Sequence, residues 1–205
     1  MTTLCNIWQQ RAEMPVLAET RDVPEAEPHP AAGAAPADIV AHLLHAHHRS
    51  LRERLLWIET LLDKASAHHP AWISEWQAWA RKFAELHQEL VCCLLQERCV
   101  IFPQITPSER GASPGLRDAI RVVGKSHARC LTLLWALIDQ VAGAAQSAPE
   151  HEAGEALGAE LSDLRDDYYQ HLYEEECLLF PQFVADRAMS DGVLPPCVAR
   201  RAAFR

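Results

Sequence analysis

The chain has 205 residues, 49% of them hydrophobic, with 28 acidic against 19 basic side chains for a net charge of −9 and a pI of about 5.6. A chain of this size buries one core. Its acidic balance, with no basic stripe, excludes a nucleic-acid backbone as partner, and no apolar run is long enough to span a bilayer.

Residues 1–20 lack the basic start and apolar run of a signal peptide, which points to a cytoplasmic protein. Residues 1–36 are rich in Ala, Pro and Glu, with Pro15, Pro24, Pro28, Pro30 and Pro36 spread through them. Such a segment buries little and is expected to be flexible, with at most a short helix at 4–14. The ordered domain, 37–187, is expected to begin near Asp38, read as an N-cap just after Pro36. Four long helices follow at roughly 38–66, 71–102, 114–145 and 151–185. They are broken at His69-Pro70, between Phe102-Pro103 and Pro114-Gly115, and at 146–149. Alternation of the strand kind is absent, so the fold class is all-α, an up-down-up-down four-helix bundle. Residues 188–205, with Gly192 and Pro195-Pro196, read as a loose tail.

The chemistry gathers in one stretch, 171–181, which runs His-Leu-Tyr-Glu-Glu-Glu-Cys-Leu-Leu-Phe-Pro. His171 and Glu175 are four apart and share a helical face, and Phe-Pro is expected to stop the helix. A shift of 78 residues lays 93–105 over 171–183 with six of thirteen positions identical: Leu94/Leu172, Glu97/Glu175, Cys99/Cys177, Phe102/Phe180, Pro103/Pro181 and Gln104/Gln182. The match indicates two copies of one helical hairpin. The first copy keeps the glutamate but has Cys93 where the second has His171.

Apolar stripes at three- and four-residue spacing are interrupted on every helix by a residue able to bind metal: His48, Cys93 and Glu97, His127, then His171 and Glu175. A lone histidine on such a face is ordinarily a hydrogen-bonded core residue. Two carboxylates change the balance, because burying an unpaired ionised carboxylate costs several kcal/mol and no Lys or Arg lies near them on the stripes. A cation supplies the missing charge. Imidazole outweighs carboxylate in this donor set, which suits iron that binds a small diatomic better than iron being stored; zinc accepts the same donors.

The pattern resembles the hemerythrin-like (HHE cation-binding) domain over about residues 38–185. It carries a histidine early in the first helix, Cys93-x-x-x-Glu97 before Phe-Pro, a histidine in the third helix, and His171-x-x-x-Glu175 before Leu-Phe-Pro. Leu86-His87-Gln88-Glu89-Leu90 and the spacing from His48 to His69 are similar to the branch of iron–sulfur-cluster repair and nitric-oxide-binding di-iron proteins. The paired-cysteine N-terminal domain of that branch has no counterpart in 1–36. The resemblance implies two non-haem iron ions with an oxo or hydroxo bridge. It also implies His48, His69, His127 and His171 as terminal ligands, bridging Glu97 and Glu175, and Cys93 at the fifth histidine position. His69 is preferred to its neighbour His68 by that family spacing alone. The function implied is NO or O2 binding, or iron handling for iron–sulfur proteins, under nitrosative or oxidative stress. The rival function is a ligand- or redox-sensing regulator with a Cys-substituted centre and no turnover.

Three readings of Cys93 stay open: a thiolate ligand, a non-ligand, or a redox-sensing thiol acting with Cys130. The seven cysteines include no CxxC pair, so a reducing compartment fits better than a disulfide framework. Cys99 and Cys177 read as small packing residues, and Tyr168 as a packing ring rather than a hydroxyl bonded to a bound oxygen species. His42, His45 and His47 read as solvated or local. His87, six residues before Cys93, faces the wrong way to replace a ligand.

Overall fold

The computed structural model describes residues 30, 33–68, 72–105, 114–147 and 152–184. All regular structure among them is helical. Helix α1 (Pro36–His42) runs through a π-helical turn, Leu43–His47, into α2 (His48–His68). Helix α3 (Ile73–Gln96) runs through a second π turn, Glu97–Ile101, into α4 (Phe102–Ile105). Helix α5 (Pro114–Ser147) is continuous, and α6 (Glu152–Tyr173) passes through a third π turn, Glu174–Leu179, into α7 (Pro181–Val184). Helix α2 packs on α3 and α6, and α5 on the same two. With short connections this is the expected up-down-up-down bundle. The predicted helix at 4–14, most of the N-terminal segment, the tail 188–205 and His69 lie outside the described residues. None of the described helices is long and apolar enough to cross a membrane.

Two local expectations are corrected. The first helix starts at Pro36, with Ala35 rather than Asp38 as its cap; the Ala35 carbonyl accepts from the N–H groups of Asp38 and Ile39 at 3.0 and 3.2 Å. Proline costs nothing at the first helical position, where its missing N–H has no intrahelical partner, and Asp38 instead meets the positive end of the helix dipole. Neither Phe-Pro pair stops the chain's helical course. The ladder widens in the turn before each proline, so that Phe102 donates to Glu97 and Phe180 to Glu175, five residues back. That wider register accommodates a ring that would clash with the carbonyl four residues back in a regular α-helix.

The core is split in two. One apolar cluster includes Leu51, Leu55, Ile58, Trp76, Phe83, Leu90, Leu134, Leu161 and Leu164. The other includes Ile39, Leu43, Ile101, Phe102, Ile120, Val123, Leu179 and Phe180. On each long helical segment the change from one cluster to the other falls at a polar residue: His47 and His48, Glu97, His127, or His171 to Glu175. These residues therefore form one polar layer across the bundle, sealed by hydrocarbon on both sides.

Candidate metal centre

Every side chain of the layer is held by a helix that apolar contacts fix on either side, so its direction is set by packing rather than by a loop. Cys93 and Glu97 are four apart on α3 and its π turn, and His171 and Glu175 are four apart on α6 and its π turn; His48 opens α2 and His127 lies within α5. Glu97, His171 and Glu175 are completely buried, and His48 and His127 nearly so. Glu97 is the hub. Its Oε1 lies 3.0 Å from His127 Nε2 and accepts from Cys93 Sγ at 3.2 Å, while its Oε2 lies 3.2 Å from His48 Nε2 and 3.7 Å from His171 Nε2. Glu175 Oε2 lies 3.3 Å from His127 Nε2 and 3.5 Å from His171 Nε2.

Closeness here does not amount to hydrogen bonding. Both ring nitrogens of His48 and of His171, Oε2 of Glu97 and both oxygens of Glu175 are buried with no hydrogen-bond partner. Buried polar atoms are nearly always paired, and leaving one unpaired costs about 1–3 kcal/mol. Donor atoms that converge without aligning on one another are arranged as ligands around a common point. Ligands about 2.0–2.1 Å from a cation stand about 3 Å apart in octahedral and about 3.3 Å apart in tetrahedral geometry, against 3.0–3.7 Å here. The four-donor group His48/Glu97/His171/Glu175 meets this description; the three-donor group Cys93/Glu97/His127 is as compact, with its thiol and imidazole hydrogen-bonded to Glu97 Oε1, and in each group the donor atoms lie within 4.8 Å of one another. They share Glu97. The residues fit a pair of cations.

The electrostatics follow from crowding charge into hydrocarbon. Burial pushes the Glu97 carboxyl up, but the imidazoles of His127, His171 and His48 outweigh it and hold the group well below the ordinary carboxylate range. Burial and the Glu97 charge push Glu175 well above that range, because two carboxylates this close cannot both ionise from the protein's own groups alone. Burial lowers His127, yet hydrogen bonds to Glu176 and Glu97 raise it to about 10. Burial presses His171 down to about 4. The Cys93 thiol is pushed far up by burial and by Glu97, and Cys130 to about 12, chiefly by burial.

The structure thus brings together His48, Cys93, Glu97, His127, His171 and Glu175. His69 lies outside the described residues, just past the 21-residue helix α2, whose far end is about 30 Å from His48 at 1.5 Å per residue. Four further residues belong to the layer. His127 Nδ1 donates to Glu176 Oε1 at 2.9 Å, a carboxylate–histidine pairing that orients the ring. Glu174, fully buried, has Oε1 at 3.1 Å from His47 Nε2 and 3.4 Å from His42 Nε2. Of the three histidines read as solvated or local only His45 is exposed. An α-helical period hides His42 and His47, which are five apart; the π turn between them puts them on one face. The sequence signal was the run of three glutamates, 174–176, entering a buried stripe.

The remaining expectations divide. The Tyr168 ring stacks on His171 at 5.8 Å and 17°, beside Cys130, as a packing residue would. His87 points to Glu59, 3.8 Å away. Cys99 is exposed rather than packed, because it falls on the outer side of its π turn. Cys177 is half-buried and disulfide-bonded, its partner lying outside the described residues, which departs from the expectation of free thiols. Compared with known families, residues 40–183 match the model described as the Hemerythrin HHE cation binding domain. No curated protein matches the chain.

Proposed function

Since the chain belongs to the hemerythrin HHE cation-binding family, we propose that its polar layer holds two non-haem iron ions and takes up a small diatomic molecule, NO or O2. The donors would be His48, Cys93, Glu97, His127, His171 and Glu175, with Glu97 common to the two groups. His69 is left out because α2 carries its own far end about 30 Å from the layer. The observation that carries the reading is the set of completely buried, unbonded carboxylate oxygens and imidazole nitrogens converging in one layer. Iron bound there would supply a redox-active Lewis acid.

The chain's own residues do the rest. Glu176 fixes the ring of His127, and Tyr168 stacks on His171 and limits its rotation. The apolar clusters above and below exclude water, which strengthens every charge interaction within the layer. Cys93 takes the position that His171 has in the repeat and offers sulfur, a softer donor that gives up its proton to a metal. Likeness to the cluster-repair branch in the segment 86–90 supports a role in nitrosative or oxidative stress, through NO capture or iron supply to iron–sulfur proteins. Cys93 also favours a second reading, a sensor that binds its ligand reversibly without turnover.

Anaerobic purification with metal counting and iron spectroscopy tests the proposal. Two irons in the layer per chain and a changed spectrum on adding NO are expected; a chain that takes up no iron after reconstitution with ferrous salt refutes it. A sulfur-to-iron charge-transfer band that Cys93→Ser abolishes is expected in the oxidised protein, and an unchanged spectrum rejects sulfur ligation.

A further inference from the structure

The two shared-donor groups leave one cluster unused. His42, His47 and Glu174 stand beside the layer with one donor atom each, all within 4.8 Å of one another. We propose that they form a further cation site of their own, a two-histidine, one-carboxylate site for a first-row divalent ion of the zinc or ferrous class.

Three observations carry this. The distances suit ligands on one cation: Glu174 Oε1 is hydrogen-bonded to His47 Nε2 at 3.1 Å and lies 3.4 Å from His42 Nε2, against about 3.3 Å for a tetrahedral edge at zinc bond lengths. The backbone is built for the arrangement. The π turn Leu43–His47 brings residues five apart onto one face, and the one at Glu174–Leu179 narrows the angle between neighbours so that Glu174 and Glu175 both point inward. The donor set is one that zinc and iron take with coordination positions left open. The site is also the outer one: the His42 and His47 side chains keep 9% and 11% exposure, where those of Glu97, His171 and Glu175 have none. The His47 and His171 rings are 6.1 Å apart, so the outer site adjoins the layer without using its donors.

Zinc counting on the full chain, stripped with chelator, reloaded with Zn2+ and desalted, tests the assignment. Wild type is expected to hold one ion more than either Glu174→Gln or His42→Ala/His47→Ala. Co2+ loading gives a second readout: a visible absorption component that the same variants lose. Glu174→Gln keeps the size and hydrogen-bonding capacity of the side chain, so a matching circular dichroism spectrum shows that the loss is local. Equal ion counts and Co2+ spectra in wild type and Glu174→Gln overturn the outer site, whatever the layer holds. The layer is separated by Glu97→Gln/His171→Ala, which is expected to lose the inner ions while keeping the one that Glu174→Gln removes. Loss of every ion in that variant, with none lost in Glu174→Gln, also overturns the outer site and leaves the two-iron reading standing.

Discussion

Loading the layer with metal expels the protons that its buried groups hold. Glu175 is held protonated by burial and by the Glu97 charge, and His127 keeps its proton up to about 10. Both must give it up to offer a lone pair to a cation. Glu97, already ionised, and His171, already neutral, contribute none. Cys93, protonated through burial, adds a third when it ligates as thiolate. Glu175, His127 and Cys93 together give three protons at pH 7 in the protein and two in Cys93→Ser. The sign is fixed by the direction of the shifts. His127 and Glu175 lie above their ordinary values, so their protons are present at neutral pH and displaced by metal, and affinity rises with pH. Each proton released is worth one decade per pH unit, about 1.4 kcal/mol, so three give about 4 kcal/mol per unit. Calorimetric zinc titration in buffers of different ionisation enthalpy reads the count, with Glu174→Gln as background so that only the layer loads. Release of one proton or none, or an affinity that is flat between pH 6 and 8, would refute the charge assignment.

Other consequences are simpler to read. In metal-free protein Glu97→Gln should cost about 3 kcal/mol, since it takes the ionised partner from a buried imidazolium, whereas Glu175→Gln exchanges one neutral group for another and should cost less than about 1 kcal/mol. Urea unfolding distinguishes the two, and equal losses would contradict the unequal charges. Glu176→Ala frees the ring of His127 and should weaken metal binding about 10–100-fold without changing the ion count, as chelator competition would show. Metal in thousandfold excess over its Kd should add about 4 kcal/mol to stability, seen as a melting temperature that falls on adding chelator. Arg54 joins α2 to α6 through Asp167 at 2.9 Å, Asp163 at 3.2 Å and Glu160 at 3.4 Å. Because that network is partly solvated, Arg54→Ala should cost only about 1 kcal/mol and leave metal content unchanged.

The four helices were legible because hydrophobic spacing near 3.6 persists through each of them, and the polar layer was legible because every stripe is interrupted at the same depth. What spacing could not show is where the period changes. His42 and His47 look unrelated at α-helical spacing and become neighbours only across a π turn. Glu174 sits opposite Gln96 in the internal repeat, so the alignment gave no reason to assign it a role. The helix start was misjudged because Asp is a good cap in isolation, while Pro36 two residues earlier already supplies the first helical position.

The repeat itself says what the two glutamates require. Four of its six identities have matching roles: Leu94 and Leu172 are buried in one cluster, Phe102 and Phe180 in the other, and each proline follows a π turn. Gln104 and Gln182 each donate a side-chain amide to the carbonyl four residues back, at 2.7 and 2.8 Å. Glu97 and Glu175 occupy equivalent places on equivalent turns, yet the protein's own groups leave one ionised and the other protonated. Pairing within the protein cannot make them alike, because three imidazoles serve Glu97 and its charge then opposes that of Glu175. Cations between them can, by compensating both charges at once. A site whose two halves match in backbone and in their glutamates, but differ at Cys93 and His171 and in protonation, is one whose charges cations would balance.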